Sequence, residues 1–225
     1  MPDRSSTHIE KTVYRGGTGE ITVKKSRFIA NVAAVDTKEE AESFIASVKK
    51  KYWHAKHNCS AYRIGEEKIL THSSDDGEPP GTAGKPMVEV LEREHITNVC
   101  VVVTRYFGGV LLGTGGLVRA YTEALKTGID DCILITREKA IACDYTAEYD
   151  ESGRLQYFFA ENKIIVDKCE YGEKVEYSLI VPYERYKSLK EEINRSSGGK
   201  KSLCNEEEIL YADASGEIIK WKKTE

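Results

Sequence analysis

A glycine-rich segment carries the residue types best suited to binding an anion. Five glycines fall within residues 108–116, and an arginine stands on either side, at Arg105 and Arg119. Open backbone N–H groups, a helix N-terminus and positive side chains together bind phosphate or carboxylate groups. Tyr106 and Phe107 add aromatic faces on which RNA bases can stack. The candidate residues for contact with an anion, RNA or a partner protein are Lys85, Arg105, Tyr106, Gly108, Gly109, Gly113, Gly115, Gly116 and Arg119.

Known phosphate-binding motifs do not account for this segment. Gly108 and Gly113 have the spacing of a P-loop, but Thr114 occupies the position of the required lysine. The run from Gly113 to Gly115 begins like a dinucleotide-binding motif, but Val118 replaces its third glycine. A second interpretation therefore stays open, in which the glycines let a strand and a helix pack closely.

A second segment, residues 73–86, is acidic and rich in turn-forming residues. Asp75, Asp76 and Glu78 are hard oxygen ligands that could hold a divalent metal. We favour the alternative that they bond to nearby backbone N–H groups, because no further ligand follows at a recognisable spacing, and we predict no metal. Thr82 is predicted to cap a helix that has Pro86 in its first turn. The candidate residues of this second site are His57, Asp75, Asp76, Glu78, Gly81 and Thr82.

His57 and Cys59 are two positions apart, so on a strand they point to the same face. That spacing suits a thiol nucleophile with its base, or a pair of metal ligands. A nucleophile also needs an orienting group and an oxyanion site, so we favour the interpretation that both side chains simply pack.

Composition narrows the classes of function. The chain has 225 residues and a net charge of −4, so it is not a protein that coats nucleic acid through bulk positive charge. It has no 18-residue apolar run, and we expect no membrane span and no signal peptide. Its six cysteines include no CxxC pair, which is typical of reduced thiols in a cytoplasmic protein.

Hydrophobic periodicity predicts the elements around the glycine-rich segment. The apolar run at residues 99–103 predicts a fully buried strand. Apolar residues at helical spacing predict a following helix from about 117 to 126, ended by Gly128. Upstream, a capping-box pattern at residues 37–40 predicts another helix.

The pattern changes near residue 136. From there to the C-terminus the order of elements is β-α-β-β-α-β, the ferredoxin-like plan. We therefore predict an α+β protein of two domains, residues 1–135 and residues 136–225.

Four blocks of this sequence resemble the signature of the IMPACT family, in its bacterial YigZ- and YvyE-like branch. They are KKSRFIA at 24–30, HNCSAY at 57–62, SDDGEPPGTAGKP at 74–86 and VVVTRYFGGVLLGTGGLVRAY at 101–121. The resemblance implies an N-terminal domain with the fold of ribosomal protein S5 domain 2. It also implies a ferredoxin-like C-terminal domain similar to the last domain of elongation factor G. Eukaryotic members are implied to regulate translation, so the resemblance places this chain near translation and RNA.

These observations predict a cytoplasmic binding protein, rather than an enzyme, that acts on RNA, the ribosome or a translation-associated protein. No catalytic residue, cofactor or membrane contact is predicted, and DNA is not an expected partner. Two alternatives are a metal-dependent hydrolase or phosphotransferase that uses the acidic segment, and a protein-interaction module without RNA binding. A positive patch around the glycines would favour RNA, whereas carboxylates converging on a pocket would favour the hydrolase.

Overall fold

The computed structural model describes residues 10–65, 68–196, 202–214 and 216–222. The chain divides into two compact units, residues 1–136 and residues 137–225. The predicted fold class, α+β with two domains, is confirmed. Within the described ranges, no helix has both the length and the apolar character needed to cross a membrane.

The first unit contains a five-stranded antiparallel sheet in the order β2-β3-β7-β4-β5. A short parallel pair, β1 with β6, lies outside this sheet. The elements are β1 Glu10–Arg15, β2 Gly17–Val23, β3 Ser26–Ala34, α1 Lys38–Lys51, β4 His57–Ile64, β5 Leu70–Ser74, α2 Gly84–Arg93, β6 Ile96–Thr97, β7 Val99–Tyr106 and α3 Thr114–Asp130.

Strand β7 lies in the middle of this sheet and is buried on both faces, as its apolar run predicts. Val101 and Val103 pack with Leu91 of α2 and Leu125 of α3 in the larger core. Cys100, on the opposite face, packs in a smaller core with residues of α1. A strand covered by helices on both sides needs apolar residues at every position, which explains the continuous run.

The predicted end of helix α3 at Gly128 is wrong, because the helix begins at Thr114 and continues to Asp130. Gly128 lies inside it, where a Cβ atom would come within 2.9 Å of the Ala30 Cβ. A Cβ on Gly19 of β2 would come within 2.4 Å of the Gly128 nitrogen. Gly128 therefore allows α3 to pack closely against the sheet.

The second unit has the ferredoxin-like strand order. Its sheet runs β9-β10-β8-β11-β12, and each neighbouring pair is antiparallel. Helices α4 and α5 pack on one face, where Phe159, Leu189 and Ile193 meet Tyr177 of β10. The sequence pattern did not predict the last strand, β12. The elements are β8 Ile133–Ala147, α4 Ser152–Glu161, β9 Ile165–Tyr171, β10 Val175–Pro182, α5 Tyr183–Ser196, β11 Cys204–Ala214 and β12 Glu217–Lys222. The first four residues of β8 precede the boundary between the units.

Candidate functional site

Four connections meet at one end of the five-stranded sheet. Strand β7 ends there, with Tyr106 opposite Arg27 of β3 and Arg105 opposite His57 of β4. Asp76, which follows β5, accepts a hydrogen bond from the Asn58 N–H of β4. We call this end the loop end; it consists of the β2–β3 turn (24–25), the α1–β4 connection (52–56), the acidic loop (75–83) and the glycine loop (107–113). Antiparallel pairing thus brings segments that are far apart in the sequence to one place.

A buried ion pair joins the glycine loop to the acidic loop. The Arg105 Nη1 donates to the Glu78 Oε1 at 2.7 Å and to Oε2 at 3.0 Å. The Tyr121 hydroxyl of α3 donates to the same Oε1 at 2.8 Å. Arg105 is only 6% exposed, so Glu78 balances its charge away from solvent. The structure therefore places Arg105 as a residue that connects the two loops, rather than as a free cation.

The surroundings of Arg105 reinforce this role. Its guanidinium lies 5.4 Å from the Phe28 ring centroid and 5.5 Å from that of Phe107. The Ser26 hydroxyl oxygen accepts from the Gly108 N–H at 3.1 Å and lies 3.5 Å from the Arg105 Nη2. Burial, followed by the neighbouring Cys59 and Glu78, raises the pKa of Tyr121 well above its ordinary value, so its hydroxyl stays a proton donor. Ser26, Phe28 and Tyr121 had no signal in the sequence pattern that marked them as partners.

Asp75 takes the capping role that the sequence assigned to Thr82. Its carboxylate accepts from the N–H groups of Gly81 at 2.7 Å, and Ala83 and Gly84 at 2.9 Å each. Partial burial opposes ionisation of Asp75, but these three backbone donors outweigh it and lower the pKa of the carboxyl. The prediction that Thr82 caps α2 is wrong, because its hydroxyl donates to the Pro79 carbonyl instead. The N-terminus of α2 is thus already satisfied by an internal anion.

The Asp76 carboxylate binds a lysine and a strand N–H, and neither is a partner of Asp75 or Glu78. One carboxylate oxygen accepts from the Lys49 Nζ at 2.7 Å and the other from the Asn58 N–H at 2.7 Å. Its backbone carbonyl lies 2.9 Å from the His57 Nδ1. The three carboxylates of the acidic loop are therefore engaged separately and do not converge. Across the part of the chain that the structure describes, no group of three His, Cys, Asp or Glu side chains is placed to hold a metal.

Cys59 packs as a structural thiol. It is fully buried, and its Sγ donates to the Asp75 carbonyl at 3.0 Å. Burial raises the pKa of Cys59 to about 12, so the thiol is protonated near neutral pH and is a poor nucleophile. The geometry of His57 and Cys59 thus favours packing over nucleophilic chemistry.

The glycines of the loop have different reasons for being glycine. A Cβ on Gly108 would lie 2.0 Å from the Lys25 backbone, so this position serves close packing. Gly109 and Gly113 have φ values of +84° and +72°, which favour glycine. Gly115 has neither reason, since a Cβ there would meet nothing within 4 Å. Close packing therefore explains Gly108, but it does not explain Gly109, Gly113 or Gly115.

Two further glycines, Gly116 and Gly81, belong to the candidate residues. A Cβ on Gly116 would lie 3.1 Å from the Leu112 Cβ, which is a tight but local contact. Gly81, in the acidic loop, has a φ of +75° and open space beside it.

The N-terminus of α3 is open, unlike that of α2. Its N-cap is Gly113, which makes no side-chain capping bond, and Thr114 and Gly115 in the first turn are exposed. Unsatisfied N–H groups at a helix N-terminus attract negative charge. These N–H groups are therefore the part of the glycine loop that remains a candidate for contact with an anion.

Exposed cations and aromatics lie on the segments at and beside the loop end. Lys24, Lys25, Lys85 and Arg119 are exposed, and none forms an ion pair with another described residue. Phe107 is 54% exposed. Trp53, in the α1–β4 connection, is 71% exposed. Tyr106 is half-buried, with its ring 5.9 Å from the Arg27 guanidinium. The sequence analysis missed Lys24, Lys25 and Trp53, because only the strand pairing brings them to the loop end.

The segments at and beside the loop end are basic although the chain is acidic. The loop end together with the residues that flank it, segments 24–27, 49–57, 75–85 and 105–119, contains ten lysines and arginines and three carboxylates. Three of these cations, Arg27, Lys49 and Arg105, are paired with carboxylates. The whole chain contains 33 lysines and arginines and 37 carboxylates. The segments at and beside the loop end therefore carry an excess of positive charge that the whole chain lacks.

Comparisons with known proteins assign this arrangement to a family. Residues 24–129 match the Impact N-terminal domain, and residues 142–200 match a domain of unknown function, DUF1949. The IMPACT family member YigZ of Escherichia coli (strain K12) is 41% identical over 128 residues, which cover 56% of this chain and 62% of YigZ. A crystal structure of a hypothetical protein aligns with a TM-score of 0.56 at 29% identity, over 86% of this chain and 95% of that one.

The IMPACT family member YvyE of Bacillus subtilis (strain 168) is similar over nearly its full length. It is 38% identical over 213 residues, which cover 95% of this chain and 98% of YvyE. A match of that extent, with both domain matches in the same order, shows that the chain belongs to the IMPACT family.

Proposed function

We propose that this IMPACT family member regulates translation by binding single-stranded RNA at the loop end of its first unit. The observation that carries the proposal is the excess of lysine and arginine on the segments at and beside the loop end, in a chain of net charge −4. Local positive charge attracts the phosphate backbone without requiring a basic protein. The family supplies the setting of translation, and the ribosome is the expected source of the RNA.

Phosphate contacts would come from the open end of α3 and the cations beside it. The first turn of α3 has no side-chain cap, and Arg119 lies just beyond it on the same helix. Lys85 lies in the first turn of α2, where Asp75 ties the helix to the acidic loop. The buried Arg105–Glu78 pair contributes by holding the two loops together.

Base stacking would come from the exposed aromatics. Phe107 and Trp53 present large parts of their rings to solvent at the loop end. Stacking on aromatic side chains is the usual way in which proteins hold unpaired bases, and it needs no particular sequence. This feature favours single-stranded RNA over a duplex, whose bases are not available for stacking.

A translation-associated protein is the second candidate partner. Leu111 is 82% exposed and Val110 is also exposed on the glycine loop. Apolar side chains next to unpaired cations suit an acidic protein surface with an apolar centre. Loss of these side chains would weaken a protein contact more than an RNA contact.

The test is binding of a fluorescently labelled single-stranded RNA oligonucleotide, measured by anisotropy across a salt series. Arg119→Ala and Lys85→Ala should each reduce the slope of log K against log salt by about 0.7, the value for one phosphate contact on a single strand. Lys187→Ala is the control, since Lys187 is exposed on α5 of the second unit. Absence of salt-sensitive binding by the wild-type protein would contradict the RNA proposal and favour the protein partner.

A further inference from the structure

The turn between β2 and β3 has an unexpected sequence for its shape. Val23 pairs directly with Ser26, so Lys24 and Lys25 form a two-residue hairpin loop. Both lysines have positive φ, +45° and +67°. Positive φ at both loop positions is the type I′ pattern, for which Asn-Gly is the favoured sequence. Lysine is disfavoured there, because its Cβ crowds the backbone in the left-handed region.

The fold gives no reason for lysine at these two positions. Both side chains are exposed, and neither makes an ion pair or side-chain hydrogen bond with another described residue. The backbone of the turn, in contrast, is closely packed against the glycine loop. A Cβ on Gly108 would lie 2.0 Å from the Lys25 carbonyl carbon, and the Gly108 N–H donates to Ser26. The two charges therefore project from a turn that directly contacts the candidate RNA site.

We infer that Lys24 and Lys25 are phosphate-contact residues of that site, with the phosphates of single-stranded RNA as their ligand. The inference rests on the proposed function, and it adds two contacts on a different element from those of the glycine loop. An unfavourable backbone conformation persists when a residue serves function rather than stability. Here a tight turn packed against Gly108 presents two adjacent ammonium groups, and no described carboxylate forms an ion pair with either.

The decisive variant is Lys24→Asn with Lys25→Gly. It supplies the sequence that the turn geometry prefers, so its thermal unfolding midpoint should equal or exceed that of the wild type. It also removes two phosphate contacts, so the slope of log K against log salt should fall by about 1.4. At 0.1 M salt this corresponds to a loss of affinity of roughly 25-fold. A protein that becomes no less stable but binds RNA less tightly cannot have lost binding through unfolding.

Three further variants sharpen the test. Lys24→Arg with Lys25→Arg keeps both charges and should keep the affinity. Lys24→Gln with Lys25→Gln keeps a polar, unbranched side chain without the charge and should lose affinity to the same degree as the Asn-Gly variant. Lys163→Gly is the matched control, because Lys163 is an exposed lysine of the second unit with a φ of +55°. It should gain stability without any change in RNA binding.

The outcomes separate this inference from the proposed function. Salt-sensitive RNA binding by the wild type that is unchanged in the Asn-Gly and Gln-Gln variants would overturn the inference and leave the proposed function intact. Absence of such binding by the wild type would overturn both. Equal loss in the Arg-Arg variant would also overturn it, since that loss would not depend on charge.

Discussion

Replacing Glu78 by Gln should destabilise the first unit strongly, because it leaves the guanidinium of Arg105 buried without a counter-charge. The two side chains are 7% and 3% exposed, so water cannot replace the lost carboxylate. Removing one partner of a buried ion pair costs about 3–5 kcal/mol. Gln keeps an oxygen that can accept from the Tyr121 hydroxyl, so we expect about 3 kcal/mol, at the lower end of that range. This is a large fraction of the roughly 5–15 kcal/mol by which proteins are usually stable.

The assay is urea unfolding followed by circular dichroism, with Glu20→Gln as the matched control. Glu20 also makes a bidentate bond to an arginine, Arg27, but both side chains are about half exposed. Solvent screens such a pair, so Glu20→Gln should change stability little, and less still at high salt. The reasoning would be refuted if Glu78→Gln were no more destabilising than Glu20→Gln.

A double-mutant cycle tests the same reasoning independently. Arg105→Met removes the charge that Glu78→Gln leaves unpaired. The double variant should therefore be less destabilised than the sum of the two single variants, by about 2 kcal/mol. Additive effects would mean that the two side chains do not act as a pair.

Three further predictions concern other parts of the chain. Gly115→Ala should leave stability unchanged or slightly raised, because a Cβ there has no neighbour within 4 Å. Gly108→Ala should be strongly destabilising, because its Cβ would collide with the backbone of Lys25. Urea unfolding of the two variants measures the difference. Asp75→Asn should lose stability at pH 7, since the pKa of Asp75 is lowered in the folded state. The difference in free energy of unfolding between Asp75→Asn and the wild type should shrink as the pH falls below about 4, because Asp75 then becomes protonated in the folded protein as well. A difference that is constant between pH 7 and pH 3 would contradict this. Residues 137–225 should fold alone, shown by a cooperative unfolding transition of the isolated fragment, because they contain a complete β-α-β-β-α-β unit; a soluble fragment without such a transition would count against the proposed domain boundary.

Local patterns predicted most of the elements correctly. The capping residue Thr37 does accept from the Glu40 N–H at the start of α1, and the apolar run at 99–103 does form a strand. The capping signal depends on residues within four positions of each other. The strand signal depends on a continuous run of buried side chains. The end of α3 could not be predicted in this way, because Gly128 is there to contact β2 and β3.

The candidate site was predicted in part. The sequence identified both loops, and it identified the open N-terminus of α3 through its glycines. It could not show that Arg105 and Glu78, 27 positions apart, neutralise each other, nor that Asp75 caps a helix that begins nine positions later. Such partnerships depend on the path of the chain between the two residues.

By itself, the sequence determined the fold class, the division into two parts and the positions of the two loops, because these follow from periodicity, turn residues and recognisable motifs. Only the tertiary structure decided which charges are free. Antiparallel pairing of β3, β4 and β7 brings Lys24, Lys25 and Trp53 to the glycine loop, while burial withdraws Arg105 from solvent. Net charge is a sum over all residues and does not describe how the charges are distributed in space. An acidic sequence therefore does not show where its positive surface lies.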